Sequence, residues 1–180
     1  GNAYFSIPAD GGREFAEGVY DASTGLVKFR NVGWFTNMDH GRRHQKLECM
    51  TTERNLRFSK HKELRGKAAY DRYENYDAIE VPFTDAVPSD YNGVMGVPIS
   101  FLDRYNPDQF EIVGTTESND PDNVCRTRVY NSRECRDAYR ERFGKPGVYD
   151  LNASGVVDGV KVFKRILIRH RARPEIRTKK

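Results

Sequence analysis

Charge is sorted into blocks along this chain, and that sorting limits how it can fold. Residues 42–72 carry 10 basic and 4 acidic groups, residues 73–123 carry 1 and 11, and residues 124–180 carry 16 and 6. Residues 1–41 hold 3 and 5, so the net charge of the 180 residues is only +4. A compact chain must fold the acidic block against its basic flanks, or present a cationic face to a polyanion and gain from counterion release. The sequence leaves both outcomes open.

The length suffices for one domain with a real core. An apolar fraction of 37% against 31% charged predicts a large wetted surface or long loops. Ten Tyr and ten Phe exclude wholesale disorder. No stretch approaches the ~20 apolar residues of a membrane span, and no signal-peptide core is present. Cys49, Cys125 and Cys135 are odd in number and fit no zinc spacing, so they read as reduced thiols in a cytoplasmic protein. The first residue is Gly1 and not Met, which leads us to expect a processed product or a portion of a longer chain.

The apolar pattern predicts a mixed α/β domain of the α+β kind, with no internal repeat and no clear boundary within 1–180. Alternation over Val27 and Phe29 marks a strand within 25–37, with residues 18–21 as its hairpin partner across Ala22–Gly25. Further strands are expected at 77–83, where Pro82 marks an edge or an end, at 92–98 and at 109–114. A short helix opens near Pro98 or Ser100 and stops at Asn106-Pro107. A longer one runs from an Asn131 or Ser132 cap to Phe143, with Gly144 beyond its end. Asp158-Gly159 between apolar runs signals a hairpin whose second arm continues through 164–169. Residues 38–72 read as a basic, irregular insertion with one short helical piece, poorly buried, anchored by few apolar residues (Leu47, Leu56, Phe58, Leu64). Residues 170–180 read as a frayed basic tail.

Little in the chain points to self-contained catalysis. Neither a Gly-x-Gly-x-x-Gly loop after a strand nor a phosphate-binding Gly-x-x-x-x-Gly-Lys motif occurs, and Gly93 and Gly96 read as packing glycines. Asn106-Pro-Asp-Gln-Phe110 is similar to the Asn/Asp-Pro-Pro-Tyr/Phe motif of amino-group methyltransferases, but its spacing displaces the ring, and an Asn-Pro turn accounts for it better. Asp39, His40 and His44 lack a recognised metal-ligand spacing. Asp85, Asp90, Asp103 and Glu111 could serve a nuclease but lack the lysine pattern such sites use. No residue in this chain is assigned to a metal or a cofactor. Trp34 and Phe35 either stack on an exposed base or fill the core. Arg42, Arg43 and Lys46 can reach phosphates, and their alternative reading is plain solvated charge.

Longer strings carry a resemblance. Val32-Gly-Trp-Phe-Thr-Asn-Met-Asp-His40, Tyr76-Asp-Ala-Ile79, the segment Asp90-Tyr-Asn-Gly-Val-Met-Gly-Val-Pro-Ile-Ser-Phe-Leu-Asp-Arg-Tyr-Asn-Pro-Asp-Gln-Phe-Glu-Ile112 and Asp158-Gly-Val-Lys-Val-Phe-Lys-Arg-Ile-Leu-Ile-Arg169 resemble the C-terminal half of EcoRI-type adenine-specific DNA methyltransferases. The resemblance implies methyl transfer from S-adenosyl-methionine to adenine N6 in double-stranded DNA, within restriction–modification systems. It implies that the cofactor loop and catalytic motif lie upstream, in an N-terminal catalytic half that this portion would partner. It further implies that the basic stretches grip DNA. The candidates are Arg42, Arg43, Lys46, Arg54, Lys60, Arg65, Arg126, Arg133 and Arg136 for the backbone, with Trp34, Phe35 and Asn37 for bases. The alternatives are a non-catalytic nucleic-acid-binding or interaction module, and a metal-dependent nuclease.

Overall fold

The computed structural model describes residues 3–6, 18–29, 36, 38–117 and 125–171. They divide into two compact units, Gly1–Asp39 and His40–Lys180. The elements in chain order are β1 (Ala3–Ser6), β2 (Tyr20–Asp21), β3 (Leu26–Phe29), α1 (Thr52–Phe58), β4 (Ala78–Glu80), β5 (Val94–Val97), β6 (Phe110–Thr115), α2 (Ser132–Phe143), β7 (Val156–Val157), β8 (Val160–Lys161) and β9 (Ile166–His170). The mixed α/β class expected from the sequence is the one observed.

The first unit is a three-stranded antiparallel sheet of order β1-β3-β2. Its β2–β3 hairpin is the one predicted across Ala22–Gly25. The Asp21 carboxylate accepts from the Ser23 amide at 2.9 Å and hydroxyl at 2.6 Å, and Gly25 takes the left-handed φ of +67 that closes the turn. The strand β1 leaves no mark in the sequence, because Ala-Tyr-Phe-Ser has no alternation and three of its four residues are exposed.

The second unit holds a four-stranded sheet of order β4-β5-β9-β6. The β4–β5 pair is parallel, and the other two pairs are antiparallel. Pro82 stands just past β4, an edge strand, as the sequence implied. Met95, Val97, Phe101, Phe110 and Ile168 form the centre of the core, all fully buried. Gly96 faces the Tyr73 ring so closely that a Cβ would overlap it, and Gly155 meets the same ring. Packing is therefore the reason for Gly96.

Residues 38–72 follow the expectation in part. They do contain a short helix, α1, capped by the Thr51 hydroxyl, which accepts from the Arg54 amide at 3.3 Å. Most of its residues are exposed as expected, and so is Phe58, which is therefore not an anchor. Leu47, Leu56, Leu64 and Tyr70 join the main core, and Asn55, wholly buried, donates to the Ala86 carbonyl at 3.1 Å. Leu47, Leu56 and Leu64 are anchors the sequence named, whereas Tyr70 and Asn55 left no local signal, because they reach the core only through the tertiary fold. The hairpin at Asp158-Gly159 forms with both residues at positive φ, 50 and 70, but only as the two-residue strands β7 and β8. Its second arm does not continue straight into β9. The chain leaves the hairpin at Val162 and enters the main sheet at Ile166, where β9 finds partners on both sides. In the tail, His170 donates through Nε2 to the Pro88 carbonyl at 2.7 Å, and Arg171 donates through its amide to the Gln109 carbonyl at 2.9 Å. Residues 172–180 lie outside the described residues.

Candidate nucleic-acid interface

The fold first neutralises much of the segregated charge. Ion pairs join the acidic block to its flanks at Arg42–Asp103 (2.5 Å), Lys60–Asp85 (2.6 Å), Arg72–Asp77 (2.8 Å), Lys164–Glu117 (2.9 Å), Arg165–Glu80 (2.5 Å) and Arg169–Glu111 (2.7 Å). Folding the acidic block against the basic ones is thus one real outcome. Most of these pairs are exposed and contribute ~0–1 kcal/mol each. Arg165–Glu80 differs, with side chains only 11% and 7% exposed.

Part of what survives neutralisation lies on α2. Asn131 caps this helix, accepting from the Arg133 and Glu134 amides, while the Glu134 carboxylate accepts from the Asn131 amide at 2.8 Å. Gly144 ends it at a φ of +65. Cys135 is buried with Tyr130, Leu151 and Val156, and Ala138 packs against them. At 100° per residue Arg133, Arg136 and Arg140 then share the opposite, solvent-facing side, spread over about 10 Å of helix axis. All three are exposed. Arg133 has only Asp137 at 3.8 Å, and Arg136 and Arg140 make no ion pair with the described residues. Arg142 lies nearer the packed side, over the rings of Phe143 and Tyr149.

The other candidates fall as follows. Arg42 is engaged by Asp103, and Lys60 by Asp85. Lys46, Arg54 and Arg65 are exposed, with no ion pair among the described residues, and Arg43 is half-buried. Arg126 is exposed and bridges to Tyr76 through its backbone. Trp34, Phe35 and Asn37 lie outside the described residues.

Sequence reasoning missed a second feature, a groove lined by Leu47, Lys60, His61, Phe83, Thr84, Asp85, Ser100 and Arg104, among others. Its one available signal was Arg104, the single basic residue among the 11 acids of 73–123. Desolvation opposes the ionisation of Asp85, but hydrogen bonds from Lys60 and His61 outweigh it and hold the carboxyl below its usual range.

The cysteines carry no sign of reactivity. All three are free, and burial pushes the Cys49 thiol up to about 11. No group of three or more His, Cys, Asp or Glu side chains among the described residues is placed to hold a metal ion. No described helix is long and apolar enough to cross a membrane.

A four-stranded mixed sheet bearing an arginine-faced helix defines a mixed α/β protein. Its sequence specifies the class more narrowly. The family described as "Adenine-specific methyltransferase EcoRI" matches residues 1–171, and the chain belongs to that family. The Type II methyltransferase M.EcoRI of Escherichia coli is 41% identical over 88 residues, 49% of this chain and 24% of that protein. The Type II methyltransferase M.MgeORF184P of Mycoplasma genitalium is 40% identical over 86 residues, 48% of this chain and 24% of that protein. These matches span about a quarter of the relatives' length. No solved structure matches.

The family's methyl donor requires a backbone cradle, usually glycine-rich, at the carboxyl end of a parallel strand. Among the described residues the parallel pair is β4–β5, and the space over its Gly96 is filled by Tyr73. The filled space over Gly96 offers no such cradle, and no chemical step through the donor is assigned to the described residues.

Proposed function

We infer that this chain is the C-terminal, DNA-engaging portion of an adenine-specific N6 DNA methyltransferase of the restriction–modification kind, acting in the cytoplasm. The arginine row Arg133, Arg136 and Arg140 carries the reading. Three exposed guanidiniums on one face of a capped, core-anchored helix, of which only Arg133 has a loose acidic partner among the described residues, suit consecutive contacts to a phosphate backbone, which positions a protein on DNA without reading sequence. Lys46, Arg54 and Arg65 add exposed charge within residues 38–72, without an ion pair among the described residues. S-adenosyl-methionine is assigned to an N-terminal catalytic half, with which residues 1–180 act as one portion. Residues 38–72 serve as its basic insertion, docked by apolar anchors.

Binding of double-stranded DNA by this chain, titrated at low and at high salt, tests the reading. We expect weak binding that falls steeply with salt. Absence of binding at low salt refutes it. Calorimetry with S-adenosyl-methionine should register no binding to this chain, and micromolar binding would place the donor site here instead.

A further inference from the structure

We propose that the groove between residues 59–61, 81–86 and 98–104 is a nucleotide site that takes one nucleoside 5′-phosphate unit. It is separate from the arginine face of α2 and does not depend on the methyltransferase reading.

The groove offers a different chemistry on each wall. The His61 imidazole lies flat on the Phe83 ring, with centroids 3.4 Å apart and planes within 3°. Such a two-ring stack presents a π-face to a third planar group, and every nucleobase has one. Pro82, Pro98 and Leu47 extend the apolar lining. The Thr84 and Ser100 hydroxyls lie 3.3 Å apart and can donate to a phosphate oxygen. Lys60 and Arg104 bring the cations. Lys60 shares Asp85 with His61, whereas the Arg104 side chain makes no hydrogen bond or ion pair with the described residues. The Asp85 carboxylate retains lone pairs for a sugar hydroxyl or an exocyclic amine. A volume of about 490 Å³ admits one nucleotide comfortably.

The walls are set before any ligand arrives. Phe101, fully buried, anchors the turn that carries Ser100 and Arg104, and its amide donates to the Pro98 carbonyl at 2.9 Å. The Ala86 amide donates to the Phe83 carbonyl at 3.0 Å, and Val81 is wholly buried beside it. The lone arginine of an acidic block thus stands without an acidic partner among the described residues, at an aromatic-walled groove.

The test follows the His61, Lys60 and Arg104 side-chain resonances by NMR while this chain is titrated with deoxyadenosine 5′-monophosphate, deoxyadenosine and inorganic phosphate in turn. We expect saturable shifts with the monophosphate, and binding at least about tenfold weaker for either half alone, since each half forfeits one wall. Arg104→Ala, an exposed change that leaves the fold intact, should weaken the monophosphate about fivefold or more and leave deoxyadenosine unchanged. Phe83→Leu should lower monophosphate binding to the level of phosphate alone. A single-stranded oligonucleotide that displaces the monophosphate supports the site with a DNA strand as its source; failure to displace it supports the site with free nucleotide as its source. No shifts with the monophosphate, equal binding of inorganic phosphate, or unchanged monophosphate binding by the Arg104→Ala protein overturns the proposal. DNA binding abolished by arginine-row variants while monophosphate binding persists keeps the two sites distinguishable.

Discussion

Glu80 at the end of β4 accepts two hydrogen bonds from the guanidinium of Arg165, 85 residues later, from Nε at 2.8 Å and Nη2 at 2.5 Å. Tyr73, which fills the space over Gly96 and Gly155, donates its hydroxyl to the same carboxylate. One buried triad therefore ties the edge of the main sheet to the chain entering β9. Replacing Arg165 by Met strands a buried carboxylate and should cost about 3 kcal/mol or more, read by urea denaturation. The double change Glu80→Met and Arg165→Met should cost clearly less, because no charge is left unpaired. If the double variant is as unstable as the single one, the cost lies in packing and not in the orphaned charge.

Gly96 makes a sharper steric demand. Gly96→Ala pushes a methyl group into the hydroxyl end of the buried Tyr73 side chain and should lower stability by about 1–3 kcal/mol. The Tyr73 hydroxyl lies nearest the added methyl, with ring carbons next, so combining Gly96→Ala with Tyr73→Phe should recover part of the loss if the hydroxyl is the main obstacle and none if the ring is. Thermal melts of the single and the double variant decide.

On α2, Asn131→Ala removes the side-chain acceptor of the capping box and should cost about 1 kcal/mol. The triple change of Arg133, Arg136 and Arg140 to Ala should leave stability within about 0.5 kcal/mol per site, since these side chains are exposed. It should also reduce the salt slope of DNA binding by about 0.9 for each phosphate that is no longer neutralised. An unaltered slope removes this face from the interface.

Several acidic groups impose a pH dependence. Hydrogen bonds from Arg169 hold Glu111 low, and the Asn131 amide followed by Arg128 does so for Glu134. For Asp90, desolvation raises the value but the Thr52 amide and hydroxyl outweigh it. Each group binds its proton more weakly folded than unfolded. Their contribution is therefore complete above about pH 5 and fades as pH falls through the folded values, below the usual carboxylate range near 4. Denaturation midpoints should be level from pH 7 to about 5 and then drop, and Asp90→Asn should flatten the drop. A protein equally stable at pH 3 would contradict this.

Local chemistry made much of the fold legible. Alternation marked β3 and its hairpin, Pro82 marked the end of β4, and Asn131 with Gly144 delimited α2 to the residue, because caps and turns are written in neighbouring side chains. The same reading placed Arg133 and Arg136 on a helix, and 3.6-residue periodicity then put Arg140 beside them. Sequence spacing also forecast a charge-sorted chain with two possible fates. Only the tertiary structure decided between them residue by residue: Arg42 and Lys60 meet acids, whereas Arg136 and Arg104 meet none among the described residues. It likewise decided that Tyr70 and Asn55 are buried and that His61 lies on Phe83. These outcomes depend on packing between segments far apart in the chain. No local pattern encodes it, because its energy appears only when the sheet order β4-β5-β9-β6 brings the segments together.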